Sequence, residues 1–217
     1  MILNIKVHLL QSESRDLKIQ LIKELKKNNQ QLAFEPIDFG YLLSGKSDYG
    51  TTAGGIACNI SGPRRFKVGG VRDHVLGFRG VNGKGEIIKS GGTVVKNVTG
   101  YDLSELICGS YGTLVALTEI TLKVLPAAEA EKTLIIHNQR IESATNFLDK
   151  AISSSNDISG AIFLPQEPEV RGCVMNIENT FKLNYLKYEG SFTAIRIEGS
   201  KNSIDQRVKK KQSTISF

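Results

Sequence analysis

Thr51-Thr52-Ala53-Gly54-Gly55-Ile56-Ala57-Cys58-Asn59-Ile60-Ser61-Gly62 is the stretch on which the reading of this chain turns. Two hydroxyl side chains precede a pair of glycines, and a third glycine closes the run. Glycine in such a pattern permits tight turns and a close approach of backbone to another group. The surroundings share the bias, because residues 40–112 hold 17 of the chain's 21 glycines. A glycine-rich β meander with no ligand would show the same density, so composition alone leaves both readings open. A stable helix starting within 48–55 is not expected, since each glycine costs about 1 kcal/mol relative to alanine.

Toward the N-terminus lies Gly40-Tyr41-Leu42-Leu43-Ser44-Gly45-Lys46-Ser47, which fits the GxxxxGK[ST] phosphate loop of NTPases. That loop requires a buried strand before it and a helix directly after it. Leu32–Phe39 instead contains Pro36 and two acids, and reads as an extended turn or edge piece. A phosphate-loop nucleotide-binding protein is therefore the weaker alternative. Residues 12–30 read as a helix, with Leu17, Leu21, Ile22 and Leu25 on one face and Ser14 or Asp16 as its cap.

Toward the C-terminus, Val71–Val81 reads as a strand, Asn82-Gly83-Lys84-Gly85 as a turn, and Glu86–Lys89 as the returning partner. Asp102–Cys108 reads as a short helix and Leu114–Val124 as a strand that Pro126 ends. Beyond Ala127–Ala130 the glycine density falls. Strands are expected at Thr133–His137, Ile158–Leu164, Arg171–Ile177 and Phe192–Ile197. A helix is expected at Ile141–Ile152, with Ala144, Phe147, Leu148 and Ala151 on one face. This β-α-β-β order resembles half of a ferredoxin-like domain. A second helix should follow, but the chain runs into Ser203-Ile204-Asp205 and a lysine run, so the second domain is expected to be cut short.

The bulk numbers narrow the class. With 217 residues, 40% of them hydrophobic, the chain can form one large domain or two small ones. No apolar run approaches the roughly 20 residues of a membrane helix. The N-terminus lacks the order of a secretory signal, which points to a cytoplasmic protein. Cys58, Cys108 and Cys173 are widely spaced and form no CxxC, so neither a disulfide framework nor a metal site is indicated. Of the net charge of +6, Arg207, Lys209, Lys210 and Lys211 supply four, leaving +2 for the rest of the chain. Basicity confined to one end, without an RNA-binding or zinc-finger motif, does not indicate a nucleic-acid partner.

Three segments in order carry a resemblance: Thr51–Gly62, Val71-Arg72-Asp73-His74-Val75-Leu76-Gly77, and Tyr101–Leu103 through Gly109-Ser110-Tyr111-Gly112-Thr113-Leu114 to Pro126. Over about residues 32–126 the chain resembles the FAD-binding domain of the vanillyl-alcohol oxidase and p-cresol methylhydroxylase (PCMH) superfamily. Ser61-Gly62-Pro63-Arg64-Arg65 and Gly91–Asp102 narrow the likeness to the E subunit of glycolate oxidase. The resemblance implies an α+β fold. Residues 1–127 would be an incomplete PCMH-type FAD-binding domain, represented by its second subdomain. Residues 128–217 would be a ferredoxin-like β-α-β-β cap fragment.

The same resemblance implies FAD as cofactor, with Thr52, Ala53, Gly54, Gly55, Asn59 and Ser61 lining it. Gly109, Ser110 and Gly112 would shape the wall near the ring, and backbone around Ala116 and Leu117 would meet the ring's polar edge. Arg64 and Arg65 are candidates to grip a substrate anion, with a surface ion pair as the alternative. Asp73 and Asp102 read as turn braces, His74 as packing, and no residue is singled out as a catalytic base. The activity implied is oxidation of a small 2-hydroxy acid by hydride transfer to flavin. The partners implied are a second flavoprotein and an iron–sulfur subunit, through which the protein would sit peripherally at the inner membrane. A degenerate, non-catalytic assembly subunit is the alternative. The family's first pyrophosphate loop has no counterpart in Met1–Gln20, which holds no glycine, and no FAD-domain segment follows the cap. The chain is thus expected to be truncated at both ends and, alone, to bind FAD weakly or not at all. Val115, where the family has glycine, is expected to add bulk at the site.

Overall fold

The computed structural model describes residues 3–8, 14–39, 50–92, 101–166 and 190–215. The Gly40–Ser47 motif, most of the Gly91–Asp102 stretch and the Arg171–Ile177 strand lie outside the described residues. The chain divides into two units, Met1–Ala127 and Ala128–Phe217.

One long strand, β5 (Val115–Pro126), organises the first unit. It pairs antiparallel with β1 (Leu3–His8), with the short β2 (Gln30–Gln31) and with β3 (Val75–Asn82), and β3 pairs antiparallel with β4 (Ile87–Gly91). The resulting order is β1-β5-β3-β4, with β2 joined to β5. Ile120, Leu122 and Val124 alternate along β5 and are buried together with Leu21 and Leu25 of α1 (Ser14–Lys27), Phe34, Ile56, Val71, Phe78 and Ile107. The α1 helix forms because this apolar face backs onto lysines and glutamate that remain in solvent. Asn29, with φ 53°, turns the chain out of it toward β2.

Two local expectations are corrected. Val71–Val81 is not one strand: residues Val71–His74 form a 3-10 turn and the strand starts at Val75. The amide of Gly70 donates to Asp73 Oδ2 (2.6 Å) and that of Val71 to Ser61 Oγ (3.0 Å). Side chains thereby offer the backbone an alternative to the ladder. Thr52–Ala57, expected to be non-helical, forms a short helix, α2. Thr51 caps it, its Oγ1 accepting from the Gly54 amide at 3.0 Å. A good cap offsets the glycine penalty over a single turn and a half. After α2 come α3 (Arg65–Val68) and α4 (Leu103–Ile107), the latter capped by Asp102 through the Glu105 amide. The β3–β4 turn is held by Asn82, whose Oδ1 accepts from the amides of Lys84 and Glu86 at 2.9 and 3.0 Å.

In the second unit the strands β6 (Ala130–His137), β7 (Ile158–Leu164) and β8 (Phe192–Gly199) form a sheet in the order β6-β8-β7. Both outer strands run antiparallel to β8 and hence parallel to each other. The helix α5 (Ile141–Ile152) crosses between them, which makes a split β-α-β unit. The expected absence of a second helix is overturned: α6 spans Lys201–Ile215. Ile204 and Val208, one turn apart, bury with Ala151, Ile158, Ile195 and Ile197. Arg207 is not part of a solvated basic end, for its guanidinium donates to Asn156 O at 2.8 Å and Glu198 O at 2.7 Å. Among the described residues, no helix is long and apolar enough to cross a membrane.

Candidate functional site

The glycine-rich helix α2 is built from its cap outward. Thr51 engages two amides, that of Gly54 through its hydroxyl and that of Gly55 through its carbonyl at 3.0 Å. These two donors are committed, so what Gly54 and Gly55 offer is space. A Cβ built on Gly55 meets nothing within 4 Å, and one on Gly54 meets only Thr51 Oγ1. Thr52 is buried and Ala53 packs against the core. The helix leaves through Asn59, whose φ of 52° is left-handed, a conformation asparagine tolerates better than most residues.

The loop after α4 meets this segment. The Tyr111 amide donates to Ala57 O at 2.9 Å. A Cβ on Gly109 would stand 3.6 Å from Asn59 Cβ. Gly109 and Gly112 have φ of 90° and 74°, which only glycine adopts without strain, and a Cβ on Gly112 would meet nothing within 4 Å. Ser110 turns its hydroxyl onto Ile107 O at 2.8 Å, so it holds the loop. Ala116 and Leu117 follow on β5, opposite Val81 and Gly80; Ala116 is exposed, and Leu117 packs against the core.

Asn59 Oδ1 is shut off from solvent and has no hydrogen-bond partner among the described residues. An unmade bond at a buried acceptor costs about 1–3 kcal/mol, which is why such atoms are few in a folded chain and each calls for an explanation. Ser61 Oγ, by contrast, is occupied by the Val71 amide.

The two arginines separate. Arg64 is 5% exposed, donates to Gln31 Oε1 at 2.8 Å and lies 3.7 Å from Glu35 Oε1. Its backbone amide donates to Glu35 Oε2 at 3.0 Å. It ties the edge piece after β2 to the Gly62–Arg65 turn, which is an internal duty. Arg65 is exposed on α3. Two residues at the site were not legible as such. Tyr111 carries a left-handed φ of 54° between the two loop glycines. Gly70 lies beside Ser61 and Asn59, with its virtual Cβ 3.4 Å from Ser61 Oγ. Spacing between Gly109 and Gly112 could have marked the first, while nothing local marks the second.

Against solved structures, the chain superposes over 96% of its length on 37% of an alkyldihydroxyacetonephosphate synthase, with a TM-score of 0.67 and 19% identity. The fold is the PCMH-type FAD-binding fold. In sequence, the chain is similar to glycolate oxidase subunit GlcE of Escherichia coli K12. The two are 46% identical over 110 residues, which are 51% of this chain and 29% of that subunit. It is also 39% identical over 104 residues to glycolate oxidase subunit GlcD of Bacillus subtilis 168, covering 48% of this chain and 22% of that protein. A D-lactate dehydrogenase of Anaerostipes hadrus is 44% identical over 94 residues, 43% of this chain and 20% of that one. The chain therefore spans less than a third of these relatives. No family model matches it. The resemblance read over about residues 32–126, to the glycolate oxidase E subunit, holds.

Proposed function

We propose that this chain forms part of the FAD site of a flavin-dependent 2-hydroxy-acid oxidoreductase of the glycolate oxidase type. The observation that carries the reading is the orphaned Oδ1 of Asn59, a residue whose Cβ faces Gly109 and whose oxygen lies beside Gly70. The fit to FAD is chemical. The cofactor carries N–H and O–H donors on its ring system and its sugar chain, and a buried carbonyl acceptor requires one of them. The open space beside Gly55 and Gly112 admits a ligand where any side chain would intrude.

Residues 1–127 then serve as the cofactor-binding domain and 128–217 as the substrate-side cap. Thr52, Ala53, Gly54 and Gly55 wall the cofactor, Asn59 accepts a hydrogen bond from it, and Ser61 braces the turn behind Asn59. Gly109, Ser110 and Gly112 set the path of the opposite wall, and the backbone at Ala116 and Leu117 meets a polar edge. FAD, when bound, supplies the acceptor for the hydride of the hydroxy acid. The chain's own contribution is to position that acceptor and hold water away from it. Relatives named as glycolate oxidase subunits support assembly with further subunits, a second flavoprotein and an iron–sulfur protein in this proposal. Of the two arginines, Arg65 alone has a free enough setting to meet a substrate carboxylate.

Asn59→Gly is the direct test. Glycine keeps the left-handed turn and removes the acceptor together with the rest of the side chain. FAD affinity should fall by roughly 2- to 13-fold, the value of one hydrogen bond of 0.5–1.5 kcal/mol, with little change in Tm. Unchanged affinity by titration calorimetry would remove Asn59 from the site and with it the observation on which this reading stands.

A further inference from the structure

We propose that Tyr111 is the aromatic wall of the site, its ring stacking on a planar heteroaromatic ring of the bound dinucleotide. This deepens the FAD reading and rests on it. Three of the four residues in 109–112 have positive φ: Gly109 at 90°, Tyr111 at 54° and Gly112 at 74°. Two are glycine, the residue that takes such angles freely. The third is a bulky aromatic, for which this conformation is an outlier with a real energetic cost. Glycine at 111 would remove that cost, so the fold gives no reason for a tyrosine. The side chain does not repay it by packing either, because Tyr111 is 75% exposed.

Its backbone is nonetheless tied to α2. The Tyr111 amide is bonded to Ala57 O, the last residue of α2, two residues before Asn59. A strained, solvent-facing aromatic whose backbone is bonded to the segment that carries an orphaned buried acceptor is the combination expected where strain is retained for a ligand. A phenol ring in that position matches a flat π-system, and stacking of this kind is a substantial part of how aromatic side chains hold heteroaromatic rings. FAD contains two such rings, the isoalloxazine and the adenine.

The test uses the 217-residue chain with FAD, FMN and ADP, by calorimetry and by ligand-detected saturation-transfer NMR, which reads weak binding. Three proteins are compared: wild type, Tyr111→Phe and Tyr111→Gly. Tyr111→Phe should bind within about twofold of wild type. Tyr111→Gly should bind FAD about tenfold or more weakly while its Tm is unchanged or higher, since glycine suits the backbone. A merely structural tyrosine would give the opposite pattern, a lowered Tm with intact binding, and that result overturns the assignment. If FMN affinity falls and ADP affinity does not, the stacked ring is the isoalloxazine; the reverse identifies the adenine. Equal affinities of Tyr111→Gly and wild type for all three ligands refute the proposal but leave the FAD reading standing. A wild-type chain that binds none of the three overturns the Tyr111 assignment for this chain.

Discussion

Glycines at this site divide into those that need to be glycine for the fold and those that do not. Gly80 belongs to the first kind: a Cβ there would lie 2.5 Å from Val115 Cγ2 and 2.6 Å from Ala116 O. This pairing also revises the expectation about Val115. Its side chain is buried in the core over the bare Cα of Gly80, so its bulk is absorbed by the sheet. Gly55 belongs to the second kind, being helical with nothing near its virtual Cβ. Gly55→Ala should therefore stabilise the fold by about 0.5–1 kcal/mol, the difference in helix propensity. If the open space beside it is where the cofactor lies, the same substitution should weaken FAD binding. Opposite signs in a thermal melt and in a binding titration are the expected outcome; a gain in stability with unchanged binding would show that the space beside Gly55 is ordinary solvent.

At the scale of elements, what was legible followed periodicity. The α5 helix and β7 match the sequence reading at both ends, because Ala144, Phe147, Leu148 and Ala151 mark a face and Ile158–Leu164 is an apolar run. The α2 helix was hidden by its glycines, since helix propensity says nothing of a threonine that binds two amides at once. The α6 helix was hidden by its lysines, although Ile204 and Val208 at i, i+4 carry a narrow apolar stripe. In the candidate site, the glycine pattern marked the right segments. It could not reveal that Asn59 Oδ1 has no partner among the described residues, because only the fold brings Gly70 beside that oxygen and Gly109 beside the Cβ of the same residue. The arginine pair likewise read as two equivalent cations until three-dimensional contacts separated them. Arg64→Met should therefore lower stability by about 1–3 kcal/mol, less than the loss of a fully buried, close ion pair, because Glu35 remains partly exposed. Arg65→Met should stay within about 0.5 kcal/mol of wild type. Urea denaturation of both variants distinguishes them; equal effects would contradict the placement of Arg64 as an internal tie.

For the molecule as a whole, stability should depend on pH through His74. The residue is 1% exposed, and its ring centroid lies 5.6 Å from that of Phe34. Burial is the main cause that pushes its pKa below the usual 6.5, with Lys123 adding in the same direction. The backbone carbonyls of Val68 and Lys123 and the carboxylate of Asp73 act against this but do not reverse it. Nε2 lies 3.0 Å from Val68 O, so in the neutral ring that nitrogen carries the proton, while Nδ1 is buried with no partner among the described residues. Protonation would place a charge in the core beside Phe34. The sign follows from linkage: the unfolded chain binds the proton at higher pH than the folded one, so stability rises with pH across that interval. The contribution is fully present above about 6.5. It is lost as pH falls from there toward the lower folded-state value, with a limiting slope of about 1.4 kcal/mol per pH unit for one proton. Carboxylates add their own dependence at lower pH, so the informative quantity is the difference between wild type and His74→Phe. Phenylalanine fills the same apolar volume and cannot titrate, although it gives up the Val68 bond and so starts from lower stability at neutral pH. The gap between the two proteins, measured by urea denaturation from pH 8 to pH 5, should be constant above about pH 7 and close as the pH drops below 6.5. A gap that stays constant down to pH 5 would mean that His74 is protonated in the folded state as readily as in the unfolded one, and that its burial does not govern its charge.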